Sequence, residues 1–364
     1  MKAIILAAGM GTRMGIDFPK SLLKINERTL LEHHVTGLRD IGVEDIYVVT
    51  GFAADQFPQD LGVTYVHNDA FEESGNAHSF LLALGWCGLD DHVVVLDGDL
   101  LLDHRIYFDI EPKLRYFIDI LNRRWVPGEI GIKISPDNRI VGLGREYEYG
   151  TMLGLAVYSP EFLRALEPLL LIAGHRAELV SVVNRLVSRF AVEPCFVRHP
   201  WIEVDTSMQY EEAVQKWDNP TLEFGSEISP KELASFYVDM KDFSGLHVSM
   251  RNTERDQVVI QNSTYIVVRE NGRVVGCGRY FTDGAYAAAI YDVMVRPSHQ
   301  GKGIGSKIVA GLVEKAEKLH PVKVFLLAEP GKEGFYQSLG FGVCRATAME
   351  RRYDYDRFSP NWQE

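Results

Sequence analysis

Cysteine is scarce in this chain: four in 364 residues, Cys87, Cys195, Cys277 and Cys344. They lie far apart and form no C-x-x-C pair, which excludes a disulfide framework and a zinc site of ordinary ligand spacing, and fits a reducing cytoplasm. Long apolar runs are missing too, since no uninterrupted stretch reaches the roughly 20 residues that a membrane span requires. The apolar opening, residues 2–7, stops at a polar, glycine-rich loop and therefore reads as a buried first strand rather than a signal peptide. Positive charge is short: 38 Lys and Arg against 50 Asp and Glu give a net charge of −12. That balance leaves little background attraction for nucleic acid or an anionic membrane surface, so an anionic ligand has to be held by a local site. Neither an internal repeat nor a low-complexity tract is present. The expected partners are small molecules, with no nucleic acid and no membrane; the oligomeric state is open, and a homodimer is among the arrangements allowed.

What is present is the composition of a folded globular protein, 46% hydrophobic and 24% charged. The length exceeds what one ordinary core needs, so two domains are expected, over residues 1–220 and 231–364. In the first, short Val/Ile/Leu runs at 4–6, 46–49, 63–66 and 92–96 alternate with helical patterns, which predicts βαβ units and a mostly parallel α/β sheet. Thr29-Leu30-Leu31-Glu32 is a capping box and Gly42 a far-end cap, so a helix is expected between them, with Leu30, Leu31, His34, Leu38 and Ile41 on one face. A closing helix is expected over 205–217, then a polar Pro/Gly linker at 218–226, with the domain boundary between 218 and 230. Strands at 265–269, 273–280 and 287–295, the first two joined by an Asn271-Gly272 turn, feed a helical pattern over 304–319 and predict an α+β module.

Two glycine loops carry the chemistry. Leu6-Ala7-Ala8-Gly9-Met10-Gly11-Thr12-Arg13 follows the first strand. Gly9 and Gly11 let backbone amides come close to phosphate oxygens, where any Cβ would block the approach. Arg13 can neutralise phosphate charge, and Lys20, presented by the stiff Phe18-Pro19-Lys20 turn, can reach the same pocket. Asp97-Gly98-Asp99 ends the apolar run 92–96, where open α/β sheets place ligands. Two carboxylates at that spacing suit a hard divalent cation such as magnesium, or form a solvated acidic turn. The second loop, Gln300-Gly301-Lys302-Gly303-Ile304-Gly305, follows a strand and opens a helix, so its amides and the helix dipole can bind an anion.

The first loop together with Pro19-Lys20 resembles the signature of nucleotidyltransferases that move NMP from an NTP to a sugar phosphate or phosphorylated alcohol, over about residues 1–217. The resemblance implies a Rossmann-like sheet, with Leu6, Ala8, Gly9, Gly11, Thr12 and Arg13 holding the triphosphate. It also implies that Lys20 meets the α-phosphate or the acceptor phosphoryl group. By that resemblance the first acidic residue of the pair, Asp97, binds magnesium and Asp205, in Trp201-Ile202-Glu203-Val204-Asp205, completes the site, with Asp99 as the second carboxylate of the turn. The segment Glu73-Ser74-Gly75-Asn76-Ala77-His78-Ser79 lies where that family contacts the base. Asn76-x-x-Ser79 is similar to choline-phosphate cytidylyltransferases, which implies CTP, with Gly75, Asn76 and Ser79 as base contacts; Gly75 and His78 keep a uridylyl flavour, and a helix N-cap is the structural alternative for Asn76.

The second loop resembles the acetyl-CoA pyrophosphate loop of GNAT-type N-acetyltransferases, over about 231–352. That resemblance implies acetyl-CoA bound by Gln300, Gly301, Lys302, Gly303, Ile304, Gly305 and Ser306, and by the backbones of Met294 and Val295. Phe335-Tyr336-Gln337-Ser338-Leu339-Gly340-Phe341 is similar to the family's "FY-x-x-x-GF" helix and following strand, so Tyr336 becomes the general acid toward the departing thiolate, with Phe335 and Phe341 as core. The base is unmarked: Asp292, Asp283, Glu329 or water. The expectation is a bifunctional enzyme, a magnesium-dependent cytidylyltransferase joined to an acetyl-CoA-dependent N-acetyltransferase, whose substrates carry a phosphate or phosphonate at one end and an amine at the other. The alternative is a transferase using UTP or another NTP with a sugar phosphate, carrying an acetyl-CoA-binding regulatory domain.

Overall fold

A computed structural model describes residues 1–25, 27–120, 129–217, 222–244 and 253–344. The chain divides into two units, Met1–Pro220 and Thr221–Glu364.

In the first unit, β1 (Lys2–Leu6) leads through a short hairpin, β2 (Lys24–Ile25) and β3 (Arg28–Thr29), into α1 (Leu30–Asp40), β4 (Ile46–Thr50), β5 (Thr64–His67), α2 (Asn76–Cys87), β6 (Val93–Asp97) and β7 (Leu100–Leu102). There follow α3 (Arg105–Phe108), β8 (Arg115–Asp119), β9 (Gly131–Ile134), β10 (Ile140–Gly144), β11 (Thr151–Tyr158), α4 (Pro160–Leu171), α5 (Leu179–Val187), β12 (Glu193–Val197), β13 (Trp201–Glu203) and α6 (Ser207–Trp217). Seven strands form the central sheet in the order β12-β8-β11-β6-β1-β4-β5. All its pairings are parallel except those of β11, which runs against both β6 and β8.

Strand periodicity divides the apolar residues between two layers. Ile4, Val93 and Val95 face the cluster that holds Phe80 of α2, Leu163 of α4 and Val183 of α5. Ala3, Ile5, Val94 and Leu96 face the opposite cluster, with Leu31, Val35 and Leu38 of α1 and Ile106 of α3. A sheet buried on both faces is why its strands read as continuous Val/Ile/Leu runs. The capping box of α1 forms as the sequence predicts: Glu32 N–H donates to Thr29 Oγ1 at 3.1 Å and Thr29 N–H to Glu32 Oε2 at 2.6 Å. At its far end Gly42, with φ +82°, donates to Arg39 O, and Val43 donates to Leu38 O. That is a Schellman turn, and it needs a residue that tolerates positive φ.

The second unit holds β14 (Glu223–Gly225), α7 (Pro230–Ser244), α8 (Thr253–Gln261), β15 (Thr264–Glu270), β16 (Arg273–Thr282), β17 (Ala287–Val295), α9 (Ile304–Glu317), β18 (Lys323–Leu326) and α10 (Glu333–Gln337). The sheet order is β14-β15-β16-β17-β18, antiparallel except for the last pair. Asn271 and Gly272 both take positive φ, +50° and +80°, as a two-residue hairpin turn requires. The helix α9 buries Ile304, Ile308, Val309, Leu312 and Ala316 on the sheet. It can lie this close because β16 offers Gly276 and Gly278; a Cβ on Gly278 would meet Ile308 Cγ2 at 2.7 Å.

Two boundaries shift. The polar segment read as linker contains β14, whose backbone pairs with β15, so its alternation serves an edge strand; residues 218–221 of that segment lie outside the described residues. No strand follows Phe341 over 342–344, and 345–364 lie outside the described residues. Among the described residues no helix is long and apolar enough to cross a membrane.

Candidate active sites

The parallel register of β1 and β6 sets Leu6 beside Asp97, so the glycine loop and the Asp97-Gly98-Asp99 turn leave the same carboxyl edge of the sheet. Because β1 pairs with β4 on one side and β6 on the other, this is the topological switch point, where a crevice opens. A bond of 2.9 Å from Gly98 N–H to Leu6 O joins the two segments. From the far end of the unit, β13 pairs antiparallel with β7, and Val204 N–H donates to Asp99 O at 2.9 Å. That pairing carries Glu203 and Asp205 to Asp99.

The result is a cleft of about 360 Å³. Leu6, Ala8, Gly9, Gly11, Thr12 and Arg13 line it from the loop, and Lys20 from the turn after it. Asp97, Asp99 and Asp205 come from the strand ends, and Gly75, Asn76 and Ser79 from the start of α2. Gly11 has φ +58°, and a Cβ there would also meet Lys20 Cγ at 2.9 Å; at Gly9 a Cβ would meet nothing within 4 Å. The glycine at 11 thus makes room for the Lys20 stem, and the one at 9 leaves the backbone bare.

Charge is concentrated here. Lys20 Nζ lies between two carboxylates, 3.1 Å from Asp99 Oδ2 and hydrogen-bonded to Asp205 Oδ1. Arg13 Nη1 reaches Asp205 Oδ2 at 2.8 Å. Burial works to lower the pKa of Lys20, but the charges and hydrogen bonds of Asp99 and Asp205 outweigh it and hold the ammonium above its ordinary value. Burial pushes Asp99 up, against the pull of Lys20. Asp97 is pushed well above the carboxylate range, by burial first and then by the charges of Asp99, Glu203 and Asp205.

One carboxylate oxygen each from Asp99, Glu203 and Asp205 lie within 4.8 Å of one another, an all-oxygen donor set that suits a hard divalent cation. Asp97 lines the same cleft but is outside that group; its carboxylate lies where a side chain on Gly154 would be, 2.0 Å from the Cβ position. Glu203 was not singled out from the sequence. The signal is the Glu203-Val204-Asp205 spacing, which an extended chain leaving β13 turns to one side.

At the base end, Asn76 is the first residue of α2, and Gly75 is the N-cap. Gly75 has no room for a side chain, since a Cβ would lie 2.2 Å from Ala177 O. Instead of capping its own helix, Asn76 accepts the Leu179 N–H at 2.7 Å through Oδ1 and so pins the start of α5. Ser79 is buried, and its Oγ accepts from Asn68 Nδ2 at 3.0 Å. Asn68 and Phe71 are further residues that sequence reasoning missed, and Ser74, within the segment read as the base end, lines the cleft as Phe71 does.

In the second unit, β18 pairs with β17 only from Ala287 to Ile290. Beyond that point β17 bulges at Asp292, with φ +55°, while the register to β16 slips between Cys277 and Arg279. The stretch that includes Met294 and Val295 therefore diverges from β18, opening the sheet where β17 runs into the second glycine loop. Gln300 Nε2 donates back to Val295 O at 2.9 Å, and Gly301 and Gly303 both take φ +75°. Gly303 caps α9, so Ile304, Gly305 and Ser306 are its first turn and their amides are intrahelical orphans. Arg296 fixes the base of the loop by donating to Val274 O at 2.7 Å and pairing with Asp239.

Tyr336 packs on the apolar cluster that contains Ile304, as does Val295. Burial first, then the Glu329 charge, raises its pKa, so its hydroxyl keeps its proton. Phe341 joins that cluster, but Phe335 is 36% exposed, because the short α10 turns only one side to the core. Its ring lies over the start of α9, 3.4 Å from where a Cβ on Gly305 would be. Two of the candidate bases are engaged structurally: Asp292 Oδ2 accepts from Arg279 Nε at 2.6 Å, and Asp283 Oδ1 accepts the amides of Ala285, Tyr286 and Ala287.

Comparison with known proteins agrees with the two-part organisation. Residues 3–107 match the MobA-like NTP transferase domain, and residues 231–341 match the acetyltransferase (GNAT) family. The chain is 39% identical over 88 residues to choline-phosphate cytidylyltransferase of Streptococcus pneumoniae, which is 22% of this chain and 38% of that protein. It is 32% identical over 136 residues to the choline-phosphate cytidylyltransferase of Haemophilus influenzae, 35% of this chain and 57% of that protein. The matches thus span about two fifths and somewhat over half of those relatives. The solved structure of the CTP:phosphocholine cytidylyltransferase from Streptococcus pneumoniae superposes with a TM-score of 0.52 at 23% identity, covering 59% of this chain and 97% of that one, which shows a shared fold.

Proposed function

We propose that this chain, which joins a MobA-like NTP transferase domain to an acetyltransferase domain of the GNAT family, is a bifunctional transferase. Residues 1–220 transfer CMP from CTP to a small phosphate- or phosphonate-bearing acceptor, and residues 231–364 transfer acetyl from acetyl-CoA to an amine. The observation that carries the first activity is the convergence of Arg13, Lys20 and the Asp99, Glu203 and Asp205 carboxylates on a cleft lined by a bare glycine loop. The cytidylyltransferase relatives support CTP as the nucleotide.

The loop amides after β1 cradle the triphosphate, while Arg13 and Lys20 neutralise charge that builds on the α-phosphoryl group. An acceptor oxygen attacks the α-phosphorus in line, the bond to the bridging oxygen breaks, and pyrophosphate leaves. Asp99, Glu203 and Asp205 would hold magnesium, which when bound would supply positive charge to offset the charge of the triphosphate. Even with Asp97 held protonated by burial, the three grouped carboxyls Asp99, Glu203 and Asp205 face two cations, Arg13 and Lys20, an imbalance that favours one more cation.

In the second activity, the amine nitrogen attacks the thioester carbonyl, the C–S bond breaks, and the Tyr336 O–H protonates the departing thiolate. The amine proton passes to water or Glu329, since Asp292 and Asp283 are occupied in the fold. An aminoalkylphosphonate or a phospho-amino alcohol would serve both halves. The test is incubation with each NTP, magnesium and a panel of phosphorylated amino alcohols and aminoalkylphosphonates, following pyrophosphate release. CTP is expected to be the productive donor; release with UTP but not CTP, or with none, defeats the assignment.

A further inference from the structure

Asn68 follows β5, is 1% exposed, and has both polar atoms of its side chain hydrogen-bonded, the nitrogen to the base end of the first cleft. Its Oδ1 accepts the Ala70 N–H at 3.0 Å, which fixes the orientation of the amide. The two hydrogens on Nδ2 then go to Ser74 Oγ at 2.9 Å and Ser79 Oγ at 3.0 Å. Both serines line the cleft. A serine hydroxyl carries one hydrogen, and an oxygen that already accepts from Asn68 has that hydrogen left to give elsewhere. Asn76, on the same wall, has its Oδ1 taken by Leu179 N–H, so its Nδ2 hydrogens remain. Three side chains on one wall of the cleft therefore keep a donor hydrogen that the bonds to Asn68 and Leu179 do not use.

We infer that Asn68 is a positioning residue which sets Ser74 and Ser79 as hydrogen-bond donors, making this wall a reader of a base edge rich in acceptors. Resting on the nucleotidyltransferase reading above, this names the substrate feature that the cleft selects. Cytosine presents O2 and N3 side by side as acceptors, whereas uracil places an N3–H donor next to O2. A donor wall pairs fully with the first and leaves hydrogens facing each other with the second, and an unpaired polar group in a closed site is costly.

Asn68→Asp tests it, because the change keeps shape and the Ala70 contact but replaces the NH2 by an acceptor. The serine hydroxyls then turn to donate to residue 68 and present lone pairs to the cleft. The measurement is Kd for CTP and for UTP, with magnesium, on the full-length protein by calorimetry. The wild type is expected to favour CTP by about tenfold or more, one bidentate edge contact's worth of discrimination. In Asn68→Asp that ratio is expected to collapse to within about threefold of unity. A merely structural role would weaken both nucleotides alike, leave the ratio standing, and overturn the inference. If Asn68→Asp does not fold, Ser74→Ala with Ser79→Ala carries the test: the ratio is expected to fall, and an unchanged ratio overturns the inference. A wild type without preference for CTP also overturns it, even if cytidylyl transfer occurs. Conversely, a preference that Asn68→Asp abolishes, in a protein that transfers no cytidylyl group, upholds this inference and defeats the proposed reaction instead.

Discussion

The two candidate sites are made of different material. In the first unit, the candidate site concentrates side-chain charge, with Lys20, Arg13, Asp99, Glu203 and Asp205 gathered at one edge of a mostly parallel sheet. In the second, the candidate site rests mainly on backbone: a strand that bulges at Asp292, two glycines at φ +75°, and the first amides of α9, with Tyr336 as the side chain proposed to react. A charge site is exact about chemistry, because each group has a sign and a reach. A backbone site is exact about shape, because amides bind any anion that fits them. The acceptor of each reaction is written least clearly where the backbone dominates.

The contrast can be broken most sharply at Lys20. Lys20→Ala is expected to lower cytidylyl transfer by about two to three orders of magnitude, the scale of losing a transition-state charge partner, while acetyl transfer stays at wild-type rate. Pyrophosphate release and an acetyl-CoA consumption assay on the same preparation read both; near-wild-type pyrophosphate release from folded protein would remove the charge cluster from the mechanism. Next in size, Tyr336→Phe is expected to slow acetyl transfer by about two orders of magnitude with unchanged acetyl-CoA affinity. Binding intact and turnover intact together would make Tyr336 a packing residue. Its raised pKa also has a sign: a proton held above the ordinary tyrosine value means that acetyl transfer should show no loss from this group until pH rises beyond about 10.

A smaller effect tests the backbone half directly. Gly303→Ala forces a Cβ into the left-handed region, at about 1–2 kcal/mol, and is expected to weaken acetyl-CoA binding about tenfold without touching nucleotide affinity. Calorimetry with both ligands would show whether the effect is confined to one unit. The smallest change separates site from scaffold. Thr29→Ala removes the capping box of α1 and should cost about 1 kcal/mol, lowering the melting temperature by about 2–4 °C, with both activities retained. A fall in either rate would mean that α1 is part of the machinery.

Much of the fold was legible because it rests on local signals. Thr29 and Glu32 marked a helix start that forms as read, and Asn271-Gly272 marked a hairpin whose two residues take the positive φ it needs. The apolar runs read as parallel strands because both faces of that sheet are buried. What escaped was set by long-range pairing. Glu203 joins the acidic cluster only because β13 pairs with β7, and Asn68 gains its importance only when β5 brings it under Ser74 and Ser79. Asn76 was read as a base contact or a cap for its own helix; in the fold its oxygen holds α5, a partner about a hundred residues away that no local rule could supply. Phe335, expected in the core, is 36% exposed because adjacent residues on so short a helix as α10 cannot both face inward.

The ammonium of Lys20, held between Asp99 and Asp205, makes the acidic cleft resemble an ion exchanger supplied in its loaded form. A tethered cation competes at an effective concentration in the millimolar range or above, so a passing sodium or potassium ion gains little by displacing it. The magnesium proposed for this cleft would therefore have to release Lys20 from Asp99 and Asp205, and phosphate groups bound beside it would give the freed ammonium a new partner.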